Sequence, residues 1–179
     1  VFNRIKEGYV LVRNPMNAHQ ISKISLNPDV VMALFFGQKI TPMLDKLDRL
    51  KDYTYYFQFT LNAYGKDVET SIPSKNNVII HHSKIIGYDW SGKVIWRYDP
   101  IFLNETYTFE YHVHYFEKLA RRLSPYTKKC TISFWISIGI QKKILLGFLL
   151  KSLLQKSKES LAKNLVEIAK SYGLKMDTC

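Results

Sequence analysis

The sequence predicts an α/β fold, a partial (β/α) barrel in which parallel strands and crossover helices form a TIM-barrel-like arc. Three observations predict it. Apolar, β-branched and aromatic runs alternate with helical patterns, at about 35 residues per unit, the length of a strand plus its crossover. No Gly-x-Gly-x-x-Gly or Walker pattern follows any strand, which argues against a nucleotide-binding sheet. The composition is globular, with 46% hydrophobic, 14% aromatic and 23% charged residues among 179. That length buries one ordinary core, so residues 1–179 are read as a single incomplete barrel domain.

Taken in order, Phe2 to Gly8 has a helical pattern. Tyr9–Arg13 (YVLVR) reads as a short strand, and Asn14-Pro15 with Asn17 as a turn. Gln20–Leu26 alternates weakly and can pair back as a hairpin. Asn27-Pro28-Asp29 punctuates the chain. Val30–Phe36 (VVMALFF) is a continuous apolar run, as expected of a strand covered on both faces.

Thr41-Pro42 opens a helix as N-cap and first helical residue, and Met43, Leu44, Leu47 and Leu50 follow at helical spacing. Thr54–Leu61 (TYYFQFTL) carries a strong strand signal, and Gly65–Ser74 reads as a loop. Val94–Tyr98 (VIWRY) is a buried strand that Asp99-Pro100 should end. A helix over about Phe109–Leu123, a strand at Cys130–Phe134 and an amphipathic helix at Leu161–Ser171 come next. Gly173 is the expected C-cap of that last helix, and Leu174–Thr178 begins another strand.

Barrel chemistry sits where strands end and loops begin. That rule selects Gln58 and Thr60, which point the same way on one strand, together with Asn62 and Tyr64 at its end. It also selects Arg97 and Asp99 on the next strand and Ser133 on the third. An Arg two residues from an Asp inside an apolar strand needs a partner or a ligand for each charge. Two readings stay open. In one, Arg97 binds an anionic group and Asp99 a polar one. In the other, they form a structural ion pair closing the barrel top.

The five His are weaker candidates. His112 and His114, two apart on a helix, face different directions and do not chelate one metal, so packing or surface roles are expected. His19 lies beside Asn14 and Asn17 in what reads as a loop. The Tyr residues, including Tyr53, Tyr55 and Tyr56, are expected to pack.

Two Cys, Cys130 and Cys179, are too few for a disulfide scaffold or an all-cysteine metal site. No signal peptide is visible at the start, so a cytoplasmic compartment is the expectation. Both ends of the chain look cut, as in a piece of a longer protein.

The net charge is +11. Read alone, it suggests the alternative function, a nucleic-acid-binding module. Such a module needs basic residues on one face with stacking aromatics, whereas these Lys are scattered. The densest group is the five Lys of residues 135–158, a stretch without an acid. Its apolar run, residues 144–150, is too short to span a membrane.

Specific strings carry a resemblance. EGYVLVRNPMNAHQISKISLNPDVV, PMLDKLDRLKDYTYYFQFTLNAYGKDVE, KVIWRYDPI and CTISF resemble a bacterial family, domain of unknown function 1848. The match covers most of the chain. The resemblance implies a radical-SAM-like (β/α) barrel whose intact members bind an iron–sulfur cluster and S-adenosylmethionine. It also implies a Ser-Arg-Arg-Thr-Asp strand upstream and a cysteine cluster downstream. Neither is present in these residues. Cofactors are therefore none in this chain, a small-molecule ligand at the barrel mouth is the possible partner, and no radical activity is expected.

Three windows depart from the family pattern: Phe35–Pro42, Ile85–Gly92 and Phe134–Leu154. Each back-translates, one base out of register, to a family-like string, and the pattern resumes after each. Local frameshifts are the expectation. On that reading much of the positive charge belongs to the shifted frame.

Overall fold

The structure is a computed structural model, and it describes residues 2–37, 41–70, 74–79, 92–135 and 144–178. The expectations that fall on 85–91, 136–143, His81, His82 and Cys179 lie outside the described residues. The chain divides into two compact units, Val1–Phe57 and Gln58–Cys179.

The first unit opens with helix α1 (Phe2–Glu7). It stops at Gly8, whose φ of 78° lies in the left-handed region that glycine enters without steric cost. Strands β1 (Tyr9–Asn14) and β2 (Asn17–Ser25) follow as an antiparallel hairpin. Asn14 Oδ1 accepts the Met16 N–H at 2.9 Å, the local side-chain bond that makes Asn a turn residue. The weak pairing expected for Gln20–Leu26 is thus a real strand. His19 lies within it rather than in a loop.

The apolar run Val30–Phe36 yields only a three-residue strand, β3 (Leu34–Phe36). Asn27 accounts for the loss: its carbonyl accepts from Val30 and Val31, and its side chain accepts from Asp29. Those turn bonds hold the backbone that a longer strand would use. Val30 and Met32 are exposed rather than covered on both faces.

The Thr41–Leu50 helix forms as expected in place but as a 3-10 helix, η1, with Leu47 and Leu50 buried. Strand β4 (Tyr55–Thr60) pairs in parallel with β3, Leu34 facing Tyr55 and Phe36 facing Phe57.

In the second unit, β4, β5 (Val94–Ile101), β6 (Lys129–Phe134) and β7 (Lys175–Thr178) lie side by side in chain order in a four-strand parallel sheet. Helix α2 (Phe109–Leu123) joins β5 to β6, and α3 (Ile144–Ser171) joins β6 to β7. The two helices pack against each other, so they cover the same face. On that face Trp96 stacks on Phe116 at 4.9 Å between ring centroids, and Tyr98 meets Phe116 edge-on. Leu161, Leu165 and Ala169 of α3 are fully buried there, at the i, i+4, i+8 spacing of one helix face.

Thr108 caps α2, its hydroxyl accepting the Tyr111 N–H, and Gly173 at φ 71° closes α3. Both termini fall where the sequence places them. Helix α3 begins earlier than the expected Leu161, at Ile144, and runs unbroken through the polar residues 155–160. Strand β5 does not end at Asp99-Pro100. It runs on to Ile101 through a register irregularity after Tyr98, with a cis Asp99–Pro100 bond. Proline withholds an N–H from the ladder, and the irregularity absorbs that loss.

The described residues form a mixed α/β structure with no closed barrel among them.

Candidate functional site

Alternation along each strand sorts the sheet into two faces. On β4, Phe57 and Phe59 are buried, and Gln58 and Thr60 point to the other side. On β5, Val94, Trp96 and Tyr98 face the helices, while Arg97 and Asp99 face away. On β6, Cys130 and Ile132 face the helices, while Thr131 and Ser133 face away. All five site residues selected from sequence, Gln58, Thr60, Arg97, Asp99 and Ser133, therefore share the polar face.

The bonded centre of that face is Arg97, Asp99 and Ser133. The Arg97 guanidinium donates to Asp99 Oδ2, and the Ser133 hydroxyl donates to Asp99 Oδ1. The ion pair is partly covered, with side chains 30% and 16% exposed, so solvent screens it only in part. Arg97 Nε is buried with no hydrogen-bond partner. A guanidinium can grip a carboxylate through two parallel bonds. Here one guanidinium bond forms, to Asp99 Oδ2, and Ser133 donates to the other oxygen.

Asn62 and Tyr64, at the end of β4, hold the backbone of this centre. Asn62 Nδ2 donates to the Asp99 carbonyl at 2.9 Å, and its Oδ1 accepts the Asp99 N–H at 2.8 Å. The Tyr64 hydroxyl donates to the Pro100 carbonyl at 2.7 Å and accepts the Phe102 N–H at 3.2 Å. Burial pushes the Tyr64 phenol well above its ordinary pKa, so it stays protonated and keeps donating.

On the helix side, His112 is fully buried. Its Nε2 meets the Phe102 carbonyl at 3.0 Å and must donate to it, because a carbonyl only accepts. In the neutral ring Nδ1 then accepts from the Tyr98 hydroxyl at 2.8 Å. Desolvation lowers the His112 pKa, partly offset by the Phe102 bond. His112 is thus a packing residue that ties α2 to the end of β5, while His114 is exposed.

Sequence reasoning missed Thr131, Lys129 and Asp177 on the polar face. Asp177 Oδ2 receives the Lys129 ammonium at 2.5 Å, and its Oδ1 receives the Thr131 hydroxyl at 2.6 Å. Burial opposes ionisation of Asp177, but the bonds from Lys129 and Thr131 outweigh it and hold its pKa low. Counting back two residues from Ser133 would have found Thr131. Asp177 needed the pairing of β6 with β7.

Among the described residues, no cluster of three or more His, Cys, Asp or Glu could hold a metal ion. Cys130 is fully buried on the helix-covered face, and burial pushes its thiol pKa far up. An iron–sulfur cluster needs several cysteine thiolates, and the chain has two Cys in all. The residues present do not fit that cofactor. No helix among the described residues is long and apolar enough to cross a membrane.

The fold and site define an α/β protein whose parallel sheet has one helix-packed face and one polar face. The family model described as Domain of unknown function (DUF1848) matches residues 1–179, and the chain belongs to that family. No curated protein and no solved structure matches it.

Proposed function

We propose that residues 1–179 form one incomplete (β/α)-barrel domain of radical-SAM-like type that binds a small polar molecule and carries out no radical chemistry. The polar face would be the inner wall of the arc. Strands in chain order, with both helices on one face, are the singly wound arrangement that a (β/α) barrel closes. A doubly wound sheet instead reverses its strand order and takes helices on both faces. Gln58, Thr60, Arg97, Asp99 and Ser133 are the binding residues of this reading. The observation that carries it is the Arg97–Asp99–Ser133 centre, set on the sheet face that α2 and α3 leave uncovered.

Two measurements test it. Anaerobic incubation with iron and sulfide should give no brown chromophore, and a chromophore at full occupancy would overturn the loss of radical chemistry. A thermal-shift screen of small metabolites should find a compound that stabilises the chain but not its Asp99→Asn variant. If every stabilising compound acts equally on both, the binding face is wrong.

The three divergent windows are read as local changes of reading frame, supported by the return of the family pattern after each. The nucleotide sequence tests this directly. Without single-base insertions or deletions at the window edges, the idea fails.

A further inference from the structure

Strands β1 and β2 form a sheet of two, and β2 is exposed along its whole length. Among the described residues no strand lies against its outer edge. Two strands alone make a marginal sheet, which a third strand or a helix ordinarily completes.

The register fixes which backbone groups face outward. In an antiparallel pair, opposed residues alternate between exchanging both backbone bonds and exchanging none. The Leu26 N–H donates to the Gly8 carbonyl at 2.8 Å, and this pair continues the register in which Tyr9 faces Ser25 and Val10 faces Ile24. The bonded pairs are therefore Val10 with Ile24 and Val12 with Ser22. Ile21, Lys23 and Ser25 turn their N–H and C=O groups to the free edge, a template for an incoming strand.

The side chains say which strand fits. Opposed residues share a face, so Arg13, Ile21 and Lys23 lie on one side and Val12, Ser22 and Ile24 on the other. Residues 9–25 contain Arg13 and Lys23 and no acid. Both cations are exposed, and among the described residues neither joins an ion pair. The Lys23 ammonium rests over the Tyr9 ring at 4.1 Å, which keeps it on that side. Val12 and Ile24 expose apolar surface on the other. A second copy is the poorer partner, because a net charge of +11 sets copies against each other. A nucleic acid would match the charge, but its phosphates offer no donors to the three outward carbonyls.

We infer that the outer edge of β2 binds an extended segment of another protein, which adds as a third strand with acidic side chains beside Arg13 and Lys23 and apolar ones beside Val12 and Ile24. This surface lies in the first unit and does not depend on the polar-face reading.

Amide-resolved NMR and hydrogen exchange on the 15N-labelled chain test it. The probe is acetyl-Glu-Val-Glu-Val-Glu-Val-Glu-amide, taken to about 5 mM because so short a strand binds weakly. Controls are the same peptide with every Glu N-methylated, the peptide with Lys in place of Glu, and a short oligothymidylate. The expected result is saturable shifts with the acidic peptide, and exchange slowed at least about tenfold at the Ile21, Lys23 and Ser25 amides. The N-methylated peptide keeps every charge but loses the edge donors, and should not slow exchange. Lys23→Glu should weaken the acidic peptide about tenfold and gain binding of the Lys peptide. If Lys23→Glu unfolds the hairpin, Lys23→Gln makes the same comparison and should weaken binding about threefold. No slowing with any probe overturns the inference, as does equal binding by the N-methylated peptide or unchanged binding by the Lys23 variants. Protection by oligothymidylate alone would assign the surface to nucleic acid instead. Protection that grows with chain concentration, without peptide, would assign it to a second copy.

Discussion

The side-chain amide of Asn62 satisfies both backbone polar groups of Asp99, donating to its carbonyl and accepting from its N–H. Strand β4 ends at Thr60, two residues earlier. Asn62 therefore continues the ladder with a side chain where the backbone no longer runs as a strand. It is 5% exposed, so water does not replace it. Asn62→Ala leaves a buried N–H and a buried carbonyl unpaired, which should cost roughly 2–4 kcal/mol. A urea unfolding curve measures it. A midpoint within error of the parent would show that the two bonds carry no such weight.

Ser133→Ala should be mild, under about 1 kcal/mol, because Asp99 keeps its Arg97 cation and, at 16% exposed, admits water to Oδ1. Arg97→Met leaves the half-covered Asp99 carboxylate without its cation and should destabilise more than Ser133→Ala. The two variants are compared by urea midpoint. The reverse order would mean that the hydroxyl, not the guanidinium, anchors Asp99.

The buried His112 makes stability fall with acidity. Its pKa in the folded chain lies below the ordinary value of about 6.5, so folding favours the neutral ring. That contribution is complete above about pH 6.5 and is lost as the pH falls through this value toward the lower folded pKa. The chain should unfold at lower urea at pH 5 than at pH 7.5, and His112→Gln should flatten the difference. An equal pH dependence in the variant would assign the effect to other groups. Asp177, with a lowered pKa, acts in a separate window, losing its contribution only below about pH 4.

Cys130 should resist thiol reagents. It is fully buried, and its thiol is held protonated by desolvation, whereas the thiolate is the reactive form. In a Cys179→Ser background, the folded chain should react with a disulfide reagent at least about a hundredfold more slowly than the urea-unfolded chain, given an opening equilibrium of several kcal/mol. Equal rates would place Cys130 at an accessible position.

Much of the second unit was legible in the sequence. The helix expected over about Phe109–Leu123 forms there, because its apolar stripe and its basic last turn agree with one another. The five polar residues were legible because strand alternation is local: if Phe57, Phe59, Trp96, Tyr98 and Ile132 face a core, then Gln58, Thr60, Arg97, Asp99 and Ser133 face away. Where local signals conflicted, tertiary bonds won. Val30–Phe36 had the apolarity of a buried strand, but Asn27 turned its first half into a loop. Asp99-Pro100 had the look of a strand end, but Asn62 and Tyr64 supplied bonds from elsewhere, and the strand continued to Ile101.

The sequence by itself determined which side chains are polar and which face of each strand they take, since a period of two residues is a property of one chain segment. Only the tertiary structure decided who bonds whom. Asp177 meets Thr131 across 46 positions, and Asp99 meets Ser133 across 34. Those pairings follow from the order in which strands lie beside one another, and no local pattern of residues encodes that order.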